Sequence, residues 1–293
     1  MTHDDKPKGT EVHLAEGRTI IAGGLRTNYH EAGSGPPLVL LHGSGMGVSA
    51  WENWGRVLPR LSAHYRVLAP DIVGFGLTER PEDAQYSIKL WVRHLVGFID
   101  ALEIQRASLV GNSFGGALAL ATAARYGGRV DHLVLMGTPA GDFGQTASTA
   151  RAWYYEPSLE NMRELLLGFP YDKSVVTDEM VRSRHAMTQV AGGLDAFRKL
   201  FPEPGSPGEK RTVHGIPEET LRGIEAPILA LHGLEDRMVP VECGMRIARC
   251  CPNAELHLYG ACGHWVQIER EDSFVAQTHL FLDQANGNTR SQV

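Results

Sequence analysis

Four consecutive apolar residues, Leu38-Val39-Leu40-Leu41, stand between the breakers Pro36-Pro37 and His42-Gly43, and runs of this kind recur along the chain. They return in residues 66–70 (RVLAP), 107–111 (ASLVG), 130–136 (VDHLVLM) and 227–232 (PILALH). A short uninterrupted apolar run between breakers suits a strand covered on both faces, since a half-exposed strand alternates instead. Between the runs lie helical patterns. Residues 88–102 place Leu90, Trp91, Leu95, Phe98, Ile99 and Leu102 on one helical face, and residues 114–126 are rich in alanine and leucine. Buried strands alternating with helices require crossover connections, so an α/β fold with a mostly parallel central sheet and helices on both faces is predicted. The polar, alternating segment 26–32 (RTNYHEA) predicts an antiparallel edge strand ahead of the parallel core.

Residues of about 141–215 break this rhythm. They hold clustered aromatics (Trp153, Tyr154, Tyr155), helical stretches near 158–168 and 177–191, and the Pro/Gly-rich loop FPEPGSPGEK. A helical lid inserted at 141–215 into a core made of 1–140 and 216–293 is the expected organisation. A chain of 293 residues could make one large domain or two small ones, and 43% hydrophobic with 21% charged residues is ordinary globular composition, enough for a sizeable buried core. A net charge of −6 gives no basic stripe for nucleic acid or an anionic membrane. The N-terminal segment lacks the apolar core of a signal peptide, and no stretch is long and apolar enough to span a bilayer. The four cysteines, Cys243, Cys250, Cys251 and Cys262, lie in the last fifth of the chain without a CxxC pair. Reduced thiols in a cytoplasmic protein are therefore expected.

Gly111-Asn112-Ser113-Phe114-Gly115 matches G-x-S-x-G, with a strand pattern before it and a helix pattern after it. A nucleophile on a tight strand-to-helix turn needs small neighbours, and the helix N-terminus offers N–H groups to a developing oxyanion. Serine becomes an effective nucleophile only when a base takes its proton. His264, in the turn-rich GACGHW, and Asp236, in HGLEDRMVP, each follow a strand-like run. The order Ser…Asp…His on loops at the C-terminal strand edge makes Ser113, Asp236 and His264 a candidate catalytic triad. Glu235 is the alternative orienting acid, and Asp236 is favoured because its place in the D-R-M-V-P turn is the more usual one. His257 falls inside a strand pattern, and His232 has no evident reach. The HGSG run at 42–45 follows the first core strand, so the backbone amides of Ser44 and Phe114 are the candidate oxyanion hole, with His42 structural. Neither a zinc-ligand spacing nor a G-x-G-x-x-G opening the first βα unit is present, so no metal and no cofactor are expected.

Five strings, HGSGMGVSAWENW (42–54), APDIVGFGLTERP (69–81), LVGNSFGGALAL (109–120), RSRH (182–185) and CGHWVQIE (262–269), carry a more specific message. From about residue 25 to 283 the chain resembles the meta-cleavage product hydrolases, C–C bond hydrolases of the α/β-hydrolase fold in bacterial aromatic degradation. The resemblance implies hydrolysis of 2-hydroxy-6-oxohexa-2,4-dienoates, a small-molecule dienoate substrate, and a homo-oligomer. By the same resemblance Arg184 holds the C1 carboxylate or oxo group, Asn53 and Asn112 hydrogen-bond the dienol end, and Trp265 packs beside it. Pattern alone reads Arg184 as a solvated charge on a helix, Trp265 as core and Asn112 as a turn stabiliser. One departure is visible: Met46 stands where the family commonly has proline, which puts the stiffness of the oxyanion loop in question. A serine esterase of the same fold and a non-catalytic small-ligand receptor are the competing readings. The buried cation distinguishes the first, and slow turnover with tight binding would mark the second.

Overall fold

The computed structural model describes residues 14–202 and 211–290, so the N-terminal segment and most of the Pro/Gly-rich loop lie outside the described residues. In chain order the strands are β1 (Arg18–Ala22), β2 (Leu25–Ala32), β3 (Pro37–Leu41), β4 (Arg66–Pro70), β5 (Ala107–Asn112), β6 (Val130–Met136), the two-residue β7 (Phe143–Gly144) and β8 (Thr212–Val213), β9 (Ile228–Gly233) and β10 (Ala254–Tyr259). Eight of them form one sheet in the order β1-β2-β4-β3-β5-β6-β9-β10. The pairs β1–β2 and β2–β4 are antiparallel, and the other main-sheet pairs are parallel.

The apolar runs form the parallel strands because each presents hydrophobic side chains to both faces. Leu38 and Leu40 join one core cluster with Trp54, Val110, Leu231 and Phe274. Val39 and Leu41 join the other with Phe98, Leu109, Leu118 and Ile247. The helices Ile88–Ala101, Phe114–Arg125 and Val241–Cys250 supply the second layer, while Ala50–Trp54 and Glu271–Arg290 belong to the first.

The segment 26–32 is antiparallel as expected, but it is not the edge. The edge is β1, which pairs through a hairpin whose two loop residues, Gly23 and Gly24, have φ of 57° and 90°. Both conformations belong to a primed turn and exclude most side chains. β1 (RTIIA) has no alternating signal long enough to read, and Ile21 faces outward at 62% exposure.

After β6 the chain leaves the sheet and returns at β9. Between them lie the helices Ala147–Trp153, Leu159–Leu167, Asp178–Thr188 and Gly193–Leu200. The first three start at Thr146, Ser158 and Thr177, whose hydroxyls accept backbone N–H bonds from Thr149, Asn161 and Met180. The short β7–β8 ladder ties the two ends of this insertion together.

Candidate active site

Ser113 is the residue between β5 and the helix Phe114–Arg125, at φ 55° and ψ −118°. An L-residue is strained there, and the strain lifts its side chain out of the turn. The small neighbours follow from crowding. A Cβ on Gly111 would lie 2.5 Å from the Gly116 backbone, one on Gly115 2.1 Å from the Leu41 carbonyl, and one on Gly116 1.9 Å from Thr138 Oγ1. The Ser113 N–H donates to the Met136 carbonyl at 2.7 Å, which anchors the turn to β6.

Asp236 sits in the loop after β9 and His264 in the loop after β10. His264 Nδ1 and Asp236 Oδ2 are 2.7 Å apart, with side-chain exposures of 3% and 1%. The other carboxylate oxygen, Oδ1, accepts the N–H groups of Met238 at 2.8 Å and Val239 at 2.9 Å. Burial pushes the Asp236 carboxyl up, but the charge of His264 and hydrogen bonds from His232 and His264 outweigh it. The carboxyl is held well below the ordinary carboxylate range. His232, to which sequence assigned no reach, places Nε2 3.4 Å from Asp236 Oδ2 and 3.0 Å from the Val239 carbonyl. It therefore braces the acid from the sheet side.

Glu235, the alternative acid, turns away: its Oε2 accepts the Cys262 N–H at 3.0 Å. It holds the loop that carries His264 and does not touch the imidazole. Glu269 does similar work, accepting the Gly263 N–H at 2.8 Å through one oxygen and the Tyr171 and Asp172 N–H groups at 2.7 and 3.1 Å through the other. The His264 N–H itself donates to the Phe169 carbonyl at 2.9 Å. The insertion thus fixes the backbone of the candidate base.

Ser44, Ser113, Phe114 and His264 line one cavity of about 280 Å³. Its remaining wall is largely apolar and aromatic, with Phe75, Trp91, Trp153 and Phe201 among the lining residues. Trp153 and Phe201 stack at 5.1 Å between centroids, and Trp91 meets the Phe114 ring edge-on at 4.7 Å. Tyr155 instead packs inside the insertion, its hydroxyl bonded to the Ser158 carbonyl. His42 is fixed on both nitrogens, Nδ1 at 2.7 Å from the Gly43 carbonyl and Nε2 accepting the Ile72 N–H at 2.9 Å. Burial pushes its pKa down, so a neutral, structural imidazole results. Met46 is buried in the core at 2% exposure, so packing holds this part of the oxyanion loop.

The other four candidates divide. Asn112 is buried beside the triad, its amide 3.5 Å from the His264 carbonyl. Asn53, Arg184 and Trp265 line a second, water-sized hole with Glu52, Met180, Gln267 and Ile268. The two spaces adjoin: Asn53 Oδ1 accepts the Gly43 N–H at 3.3 Å, and a Cβ on Gly45 would meet Arg184 Nη2 at 3.9 Å. Arg184, which pattern alone reads as a solvated charge, is only 6% exposed. Among the described residues no carboxylate lies within 4 Å of its guanidinium, and its Nε has no hydrogen-bond partner. Burial pushes its pKa down against the pull of Glu52. Trp265 stacks on Phe169 at 4.8 Å with the rings 5° from parallel.

Sequence reasoning missed Gly137. It follows β6 at φ 49°, and a Cβ there would lie 2.8 Å from His264 Nδ1 and 2.9 Å from Asp236 Oδ2. A glycine ending a strand at the catalytic edge was the only available signal, and its meaning depends on three separate loops converging.

A family model for the α/β-hydrolase fold matches residues 36–271. The chain is 46% identical to 2-hydroxy-6-oxo-2,4-heptadienoate hydrolase of Pseudomonas putida (strain F1), covering 93% of this chain and 98% of that protein. It is 44% identical to 2-hydroxymuconate semialdehyde hydrolase of Pseudomonas sp. (strain CF600), over 92% and 95%. Among solved structures it is similar to a meta-cleavage product hydrolase from Pseudomonas fluorescens IP01, with a TM-score of 0.86, 45% identity, and coverage of 92% and 98%. It is also similar to 2-hydroxy-6-oxo-6-phenylhexa-2,4-dienoate hydrolase from Rhodococcus sp. strain RHA1, with a TM-score of 0.82, 31% identity, and coverage of 91% and 99%.

Proposed function

Because the chain belongs to the meta-cleavage product hydrolases of the α/β-hydrolase fold, we propose that it hydrolyses the C5–C6 bond of 2-hydroxy-6-oxohexa-2,4-dienoates. The products are 2-hydroxypenta-2,4-dienoate and a carboxylic acid, a step in aromatic degradation. The observation that carries this reading is Arg184, a buried guanidinium with no carboxylate within 4 Å among the described residues, beside a cavity holding Ser113 and His264. A plain esterase has no use for such a cation, whereas a dienoate brings a carboxylate for it to grip directly.

Chemistry then assigns the roles. A C–C bond breaks heterolytically only if the departing carbon accepts an electron pair, so the dienol first passes its hydroxyl proton to C5 and becomes the keto tautomer. Arg184 stabilises charge on the carboxylate end, with Asn53, Asn112 and Trp265 holding the dienol fragment. Ser113 Oγ adds to the C6 ketone while His264 takes its proton, and Asp236 holds the imidazole in the required tautomer. The Ser44 and Phe114 N–H groups receive the oxyanion. Collapse expels C5 with the bonding pair, leaving the pentadienoate, and water then releases the acid from Ser113. His264 moves the proton at each stage.

The insertion, residues 141–215, serves as a lid over a core of 1–140 and 216–293. The cavity of about 280 Å³, narrowed by Trp153 and Phe201, favours a small alkyl group at C6 over a phenyl ring. The four free thiols suit a reducing cytoplasm, and a homo-oligomer is the assembly the family resemblance implies. The test is bleaching of 6-methyl and 6-phenyl dienoates by wild type, Ser113→Ala and Arg184→Gln. Rapid bleaching slowed by orders of magnitude in both variants is expected. No bleaching, together with Ser113-dependent cleavage of a simple ester, would overturn the reading in favour of an esterase.

A further inference from the structure

The hole beside the main cavity has a volume of about 10 Å³, the space of one water molecule. Its polar lining is unusual. Gln267, the second residue of the helix Val266–Glu269, is 1% exposed, and among the described residues neither its Nε2 nor its Oε1 has a hydrogen-bond partner. Arg184 Nε and Asn53 Nδ2 are also buried without a partner. Four such atoms belonging to three side chains of one small hole are a costly arrangement unless a shared polar group joins them.

We infer that Gln267 is a positioning residue for Arg184, acting through one water molecule held in this hole. The inference rests on the proposed role of Arg184 in binding the dienoate carboxylate. A water accepts two hydrogen bonds and donates two. Arg184 Nε–H and Asn53 Nδ2–H supply the donors, and Gln267 Oε1 is one acceptor. The Glu52 carboxylate, which lines the same hole and accepts a bond from the Ser183 hydroxyl, is the second. Size and the water's own hydrogen-bonding capacity agree, with three of the four unpartnered atoms satisfied and Gln267 Nε2 left outside the set. Arg184 lines the hole and its Nε is buried without a partner, while a Cβ on Gly45, in the loop beside the main cavity, would lie 3.9 Å from its Nη2. Holding Nε from behind stops rotation about the Cδ–Nε bond. The two terminal nitrogens then stay presented in one plane, as a bidentate grip on a carboxylate demands. Gln267 touches no reacting atom in this scheme.

A high-resolution crystal structure of the full-length wild type tests the site directly. An ordered water bonded to Arg184 Nε, Asn53 Nδ2 and Gln267 Oε1 is expected. A dry hole, or Gln267 bonded directly to Arg184, overturns the inference. Kinetics test the role. Gln267→Leu is expected to raise KM for the dienoate about tenfold, with kcat little changed and Ser113-dependent hydrolysis of neutral p-nitrophenyl acetate unaffected. Parallel loss of dienoate and ester activity would mark a merely structural residue and overturn the role. If wild type bleaches no dienoate, the proposed reaction fails, and the crystallographic density then decides the water site on its own.

Discussion

Replacing Gly137 by alanine probes the proposed catalytic pair, His264 and Asp236, without changing either residue. The new methyl would stand 2.8 Å from His264 Nδ1 and 2.9 Å from Asp236 Oδ2, where ordinary contact begins at 3.4 Å. The pair must therefore yield by about 0.5 Å. Its 2.7 Å hydrogen bond would lengthen toward the outer limit of useful geometry. A misplacement of about 1 Å costs about 100-fold in rate, so a shift of half that is expected to cost roughly tenfold, equivalent to about 1.4 kcal/mol in the barrier. Alanine at φ 49° adds backbone strain, on the order of 1–3 kcal/mol, so the melting temperature falls by several degrees, at roughly 2–4 °C per kcal/mol. The assay is dienoate bleaching under saturating substrate, beside calorimetry. Asp236→Asn supplies the control: once the acid is lost, Gly137→Ala should cost little more, because residues acting as a unit are not additive. A kcat within threefold of wild type, or a full multiplicative loss in the double variant, would refute the reasoning.

Asp236→Asn alone should lower kcat on the order of 10³- to 10⁴-fold, whereas Glu235→Gln, which keeps an acceptor for the Cys262 N–H, stays within roughly tenfold; steady-state rates distinguish them. His94 is buried against Thr27 Oγ1 at 2.8 Å, and desolvation lowers its pKa from 6.5 to about 4. As pH falls below 6.5 the unfolded chain takes up a proton that the native state refuses, so stability drops until the folded pKa near 4 is passed. The loss is on the order of 3 kcal/mol, and urea titrations at several pH values should show it flattened in His94→Gln. Trp153→Ala removes one member of the stacked pair narrowing the cavity and should raise the kcat/KM ratio of 6-phenyl to 6-methyl dienoate by about tenfold; an unchanged ratio would take Trp153 out of substrate selection.

The parallel strands were legible because burial on both faces leaves a run of apolar residues that no other environment favours. β1 was not, since it has one inward face, only five residues and an exposed Ile21. Ser113 was legible through the crowding of its turn, which leaves a local glycine signature. Sequence favoured Asp236 over Glu235 on turn context alone, because neighbours on one loop differ only in where each side chain points. His232 escaped notice for the same reason: its reach to Asp236 depends on how the strand end curls. Arg184 shows the opposite failure. A charged residue on a polar helix reads as solvated, and the pattern does not show that the helix packs against the loop at Gly47, whose Cβ would meet the Arg184 carbonyl at 2.1 Å.

The carboxylate of Glu269 and the carbonyl of Phe169 bind the inserted helices to the loop of His264, so the insertion is not an interchangeable part. Grafting the corresponding segment from a relative to alter selectivity would transplant half of a joint. Residues 169–172 must travel with a matching acid at 269, or the recipient would gain a new pocket and lose the placement of its base.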